Sequence, residues 1–544
     1  MLRGIARFTA AFAFCLSAPM GCPPERVPDA HFTASPRSGP PPLIVQFSDT
    51  SVPGDGVISA WSWSFGDGAT DTVQHPEHTY QTPGSYDVSL TVTTQYGSDT
   101  LAEGDYIVVT SGGGEGEGEG EFAGFVEVPD PLSGENPRYP LPAAAAPQAG
   151  GYAEDTAFGT RQRRVTQTES LRHEYSRIDP FNQDGTLVLL QYLPDGEWRV
   201  YRTDSVPYDA PGNLVTMVQM EEPRWDPLDP AILWGTIEFR LVTLNVTTDT
   251  ETTVKDFAQD AVIAPALGAA PDLYRITMRD EGESSRDKRY WAFAIQGSNE
   301  GYRLRHVFCW DRTANQILGF YTLPLTQSLI DWVGMSPLGN YVIIGGDWDN
   351  GAPLTGLTMA NRELTQFHRL DYATAHSDVG LDTAGREIIV MQNNQTDYID
   401  LIPIDWATQP ILEAGGDYAG TQHVPLIRLF YDASPLGLRS GVHISCNHPG
   451  YALVSTTTEP GEPEQNWLDR TITLVQLDAA TPRVFYLAKV YGTTGAYWEE
   501  THGSISSDGT KAVWASNWGA HAGEEPPRVW VMQLDLPAGW QSSL

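Results

Sequence analysis

Two hydrophobic rhythms run along this chain. From Val27 to Thr110, apolar and polar residues alternate in short runs such as Leu43-Ile-Val-Gln-Phe47 and Tyr86-Asp-Val-Ser-Leu-Thr-Val92, with Gly, Pro and Asp between them. A period of two places every second side chain on one face, which predicts half-buried antiparallel strands. From Arg164 onward the pattern changes. A polar turn leads into a nearly continuous apolar run seven times, at 182–190, 226–234, 285–293, 336–344, 382–390, 447–454 and 507–514. The six steps from Asp184 to Asp508 average 54 residues. A four-stranded blade takes ~40–50 residues, so this recurrence predicts a seven-bladed β-propeller with modest loop insertions. A strand from 155–170, where Arg164-Val-Thr-Gln-Thr168 lies, is expected to close the ring against the last blade and hide an exposed edge. The expected fold class is all-β, with a sandwich over 27–111 and a propeller over 155–544.

The segment 112–150 separates the two. It starts with Gly112-Gly-Gly-Glu-Gly-Glu-Gly-Glu-Gly-Glu121 and continues Pro- and Ala-rich. Glycine gives flexibility and like charges repel, so a solvated, extended tether is expected. At the other end of the first unit, Arg3 and Arg7 precede the apolar run from Phe8 to Ala18. That is the layout of a signal peptide over residues 1–22, too short to span a bilayer as a mature helix. Gly21-Cys22 at its end is similar to a lipoprotein cleavage site, but Pro19 stands where such sites carry Leu. Lipidation of Cys22 and simple secretion both stay open, giving a secreted or cell-envelope protein that meets a membrane only if it carries the lipid anchor. Cys309 and Cys446 can pair or stay free.

Within the first unit, Trp61-Ser-Trp-Ser-Phe-Gly-Asp-Gly68 is followed by His78-Thr-Tyr80 and Gly84-Ser-Tyr86. These residues closely resemble the PKD family, which implies an Ig-like β-sandwich. Trp63 and Phe65 are expected on one sheet and Tyr86, Val88 and Leu90 on the other. Such domains serve mostly as spacers or adhesive modules.

Composition narrows the function. There are 69 Asp and Glu against 33 Lys and Arg, a formal net charge of −36, which argues against nucleic acid. A polysaccharide, or a glycan or protein at the cell surface, is the expected partner, and the chain is expected to be monomeric. Several His fall near blade starts. Equivalent positions of adjacent blades converge on the central channel, so His376, His443 and His502 are expected to meet, with Cys446 or His448 as a fourth ligand. That set suits tetrahedral zinc. His173, Tyr175 and Arg177 recur at i, i+2 and i+4 before the first blade, so a strand would turn all three to one cleft as base, acid and carboxylate holder.

Ser504-Ile-Ser-Ser-Asp-Gly-Thr510, Trp514-Ala-Ser-Asn-Trp-Gly519 and the His376 and His443 segments look like those of TolB-type propellers, in particular the oligogalacturonate and ulvan lyases. The resemblance spans roughly 165–540. It implies a channel metal and β-elimination on an acidic polysaccharide, for which a basic, aromatic-lined cleft around His173 and Arg177 is required. The alternative is a non-catalytic propeller that docks protein or glycan.

Overall fold

In the first unit the period-two pattern becomes burial: Leu43–Asp49 alternates buried and exposed along its first five residues. This is a computed structural model that describes residues 26–109 and 125–544, apart from short stretches of which the longest are 324–329, 347–353, 410–421, 432–440 and 459–465. Cys22 and the Gly–Glu run lie outside the described residues. The chain divides into Met1–Gly116 and Glu117–Leu544.

The first unit is a sandwich of a three-stranded and a five-stranded sheet. Trp63 pairs with Leu90 inside the five-stranded sheet, so Trp63, Val88 and Leu90 share one sheet rather than facing each other. The opposing face comes from Phe32, Val45, Phe47 and Tyr80. The turn after Phe65 needs glycine. Gly66 has φ +83°, and a Cβ there would lie 2.5 Å from the Asp87 carbonyl oxygen. Asp55, Asp67 and Asp71 of this unit have separate partners. Asp55 pairs with Arg26, Asp67 with His78, and Asp71 accepts from the backbone of its own turn.

The second unit is seven β-meanders in chain order, each of four or five strands. The fifth blade is typical: Ser377–Leu381, Glu387–Asn393, Tyr398–Pro403 and Val424–Arg428. The recurrent apolar run is the second strand of each blade, not the innermost. A short inner strand precedes it and lines the channel, for example Val442–Ser445 in the sixth blade and Ser504–Ile505 in the seventh. Neighbouring inner strands are bonded together. Cys446 N donates to Asp378 Oδ2 (2.5 Å), Ile505 N to Ser445 Oγ (3.2 Å), and Ser504 Oγ to the Ile178 carbonyl (2.9 Å).

The last blade is completed from the other end of the chain. Thr160–Arg164 pairs with Trp530–Asp535, and Tyr152–Asp155 adds an outer strand. The pairing strand therefore ends at Arg164, where the sequence suggested it would begin. The Pro- and Ala-rich stretch is also less free than expected. Val126–Glu127 adds a fifth strand to the sixth blade, and Phe125 packs on Phe485 and Trp540.

Candidate metal centre and cleft

His443 sits on the inner strand of the sixth blade, while Glu500 and His502 lie on the segment that enters the inner strand of the seventh. One ligand atom from each of the three lies within 4.8 Å of the other two. His443 Nε2 is 3.0 Å and His502 Nε2 3.5 Å from the same Glu500 Oε2. Two donors on one tetrahedral ion at ~2.1 Å would be ~3.4 Å apart, close to both distances. The atoms are near each other but not aligned to bond: both nitrogens of each ring and Glu500 Oε2 make no hydrogen bond, although both rings are wholly buried. Buried polar atoms are nearly always satisfied. A cation shared by the two rings and Glu500 Oε2 would satisfy one nitrogen of each ring and the carboxylate oxygen.

Electrostatics agree. Burial lowers His443 to about 3 and His502 well below its usual range, with neighbouring positive groups adding to the effect. Both rings are thus neutral and able to donate a lone pair. Burial raises the Glu500 carboxyl, a shift that a cation would reverse. His502 also holds φ +43°, an unusual conformation for a residue with a side chain.

The other predicted ligands are placed differently. His376 stacks edge-on against His443, ring centroids 4.5 Å apart, but its Nδ1 faces the Tyr175 hydroxyl at 3.4 Å. Cys446 lies in the apolar core between the fifth and sixth blades. His448 has gone to the turn beyond its strand, with Nδ1 2.9 Å from the Ser507 carbonyl and Nε2 2.9 Å from Gln541 Nε2. Cys446 and Cys309 are both free and buried. Glu500 belongs to the cluster although only histidines and Cys446 stood out as ligands in the sequence. Its signal was Glu500-Thr-His502, an i, i+2 pair able to share one face.

His173, Tyr175 and Arg177 all reach the channel, yet two of the three are committed. The strand they were expected to share stops at Arg172. His173 is wholly buried and its Nε2 donates to the His502 carbonyl at 2.5 Å, which fixes its tautomer. Burial lowers it to about 3. It holds His502 in place rather than meeting solvent. Arg177 is 3% exposed, paired with Glu281 at 2.8 Å, bonded to Ser377 Oγ, and stacked over Trp332. It is not free to hold a ligand carboxylate. Tyr175, itself buried, is the one of the three that lines a cleft, its ring edge-on to His443 and His502.

This cleft has a volume of about 680 Å³, and Tyr175, Trp198, Tyr497 and Trp498 project into it. Aromatic lining was expected; the charge is the reverse of the expectation. Among the described residues, the lining carries eight carboxylates against two guanidiniums, Arg275 and Arg279. Arg275 is paired with Glu221, and Glu174, Asp195, Glu197 and Glu281 are paired with Arg224, Arg199 and Arg177. Crowding shows in the carboxyls themselves. Burial pushes Glu174 up to about 8 against the pull of Arg224, and burial with Glu222 beside it raises Asp280.

Several known proteins are similar to parts of this chain. Two solved oligogalacturonate lyases, one in complex with manganese and one from Vibrio parahaemolyticus, align with 73% and 72% of the chain and 98% of their own length. Identity is 11% and the TM-score 0.46 in both cases. A microbial collagenase of Vibrio alginolyticus is 34% identical over 88 residues, 16% of this chain and 11% of the relative. Collagenase ColQ1 of Bacillus cereus (strain Q1) is 43% identical over 60 residues, 11% of this chain and 6% of the relative. The chain thus spans only a small part of these curated relatives. Residues 27–109 match the PKD domain model, which agrees with the sandwich built around Trp63 and Phe65, and the N-terminal unit is a PKD domain.

Proposed function

We propose that this is an exported protein whose propeller binds carbohydrate in the aromatic cleft beside a divalent metal centre formed by His443, Glu500 and His502. The observation that carries it is the buried cluster of ring nitrogens without partners around Glu500 Oε2. Two imidazoles and a carboxylate suit zinc and its first-row neighbours, and three protein ligands leave a coordination position for a sugar oxygen. A cation held there would act as a Lewis acid towards that oxygen. Export rests on the basic and apolar N-terminus, and the PKD domain serves as a spacer or adhesive module.

Elemental analysis of the purified chain tests the centre. About one zinc or similar ion per chain is expected, falling strongly in His443→Ala and Glu500→Gln. A metal-free protein that takes up no divalent ion on titration rejects the centre.

One observation favours a second reading, cleavage by β-elimination of an acidic polysaccharide. Tyr175 OH and His376 Nδ1 are 3.4 Å apart beside the cluster. Burial lowers His376 to about 3, which keeps its ring neutral but makes it a weak base, while burial keeps Tyr175 protonated, so the support for this reading is the pair's placement and not its acidity. This reading places one uronate at the centre. Ultraviolet absorbance of an unsaturated product should appear with uronate-containing chains and vanish in Tyr175→Phe. No product from any uronate substrate leaves binding without catalysis.

A further inference from the structure

We propose that the cleft is a subsite for an amine-bearing sugar, such as a hexosamine with a free amino group, and that Tyr497 and Trp498 are its stacking platform. The proposal rests on the carbohydrate reading above and names the chemistry of the ligand.

Exposed aromatic rings are usually mobile or incidental. These two are neither. Tyr497 is 48% and Trp498 37% exposed, yet the turn that carries them is fastened from beneath. Glu499 is buried, and its two oxygens accept from the backbone nitrogens of Gly495 (2.6 Å), Ala496 (3.0 Å) and Gly523 (2.7 Å). Arg172, wholly buried, donates from Nη1 to the Trp498 carbonyl at 2.5 Å, and its guanidinium lies 5.6 Å from the Trp498 ring. The two rings meet edge-on, centroids 5.1 Å apart. Two buried charged side chains therefore hold a pair of apolar rings out towards the cleft. The same turn leads directly into Glu500 and His502, and the Tyr497 ring is 5.1 Å from that of His502. A sugar stacked on the platform would be adjacent to the cluster whose ring nitrogens lack partners.

Charge then decides which sugar. A polyuronate would bring a carboxylate with every residue into a lining of eight acidic residues, of which Glu174, Asp195, Glu197, Glu221 and Glu281 are paired with arginines and, among the described residues, Glu222, Asp280 and Asp331 are not. An ammonium group meets the opposite situation. Asp331 makes no ion pair among the described residues, although its charge reaches Arg177, and aromatic faces attract cations. Arg279 is the one lining guanidinium without an ion pair among the described residues.

The experiment is calorimetric titration of the full chain with four probes: glucosamine, N-acetylglucosamine and galacturonate oligomers of equal length, and oligolysine. Glucosamine oligomers should bind tightest and weaken as salt is raised, because exposed charges are screened. Trp498→Ala should weaken them by about two- to tenfold, the scale of one aromatic contact. Asp331→Asn should weaken glucosamine oligomers and leave N-acetylglucosamine oligomers unchanged. Tighter binding of galacturonate or N-acetylglucosamine oligomers, of oligolysine, or an unaltered Trp498→Ala, overturns the proposal while carbohydrate binding stands or falls on the sugar arms. If no oligosaccharide of any charge binds, the carbohydrate reading fails with it.

Discussion

Replacing Glu500 by Gln is a sharp test of the metal centre, because the side chain keeps its shape and loses its charge. A ligand that binds only the folded state stabilises it by about 2.7 kcal/mol at a free concentration one hundredfold above its dissociation constant. Unfolding entropy near 60 °C is about 2.1 cal/mol/K per residue. Over the unit Glu117–Leu544 this gives about 0.9 kcal/mol per kelvin, so zinc should raise the melting temperature of chelator-treated protein by about 3 °C. Differential scanning fluorimetry reads this directly. Glu500→Gln should melt close to the metal-free parent and respond little to zinc. The reasoning is refuted if the variant shifts as far as the parent, or if neither zinc nor manganese shifts the parent.

Phe158→Ala should cost about 3–5 kcal/mol in urea unfolding, because this buried ring stacks on Tyr486 at 4.9 Å and ties the closing hairpin to the sixth blade; an unchanged midpoint would mean the hairpin is not integral. His423 lies between Asp371 (3.2 Å) and Asp400 (3.1 Å), and although burial opposes it, the bond to Asp400 and the two carboxylates raise its pKa above the usual 6.5. With the folded pKa above the unfolded one, its stabilisation is full below about pH 6.5 and is lost as pH rises through the folded value, so the melting-temperature gap between parent and His423→Gln should narrow towards alkaline pH. Gly66→Ala should destabilise the PKD unit by about 1–3 kcal/mol or more, the cost of a forced left-handed residue plus the Asp87 clash, read as an earlier transition in the full chain.

Much of the fold was legible because it is written locally. The Trp63–Gly68 segment carries its own turn chemistry, and seven recurrent apolar runs carry the blade count. Which faces meet was harder. Trp63 and Leu90 share a parity that suits either one sheet or two, and only the pairing register decides. At the site, His443 and His502 were found from their place in the repeat. Cys446 could have been set aside on parity, since a residue three along a strand from His443 points the other way. The acidic cleft left no local trace. Its walls take a few acids from each of several blades, such as Glu174, Glu221, Asp280 and Asp331. Arg177 stood out in the sequence as an available cation, but Glu281, 104 residues away, occupies it.

The seventh blade has a consequence for how the molecule is made. Its inner strands come from the end of the chain and its outer strands from Tyr152–Asp155 and Thr160–Arg164. Val531 N bonds to Thr166 Oγ1 across 365 residues of sequence. A chain emerging from its N-terminus must therefore keep one β-edge unpaired while six blades are synthesised. Closing so long a loop is slow, and the waiting edge is open to wrong partners throughout. Ring closure should thus be the last folding event, and conditions that lengthen synthesis or translocation should favour aggregation of this protein even when its finished stability is unchanged.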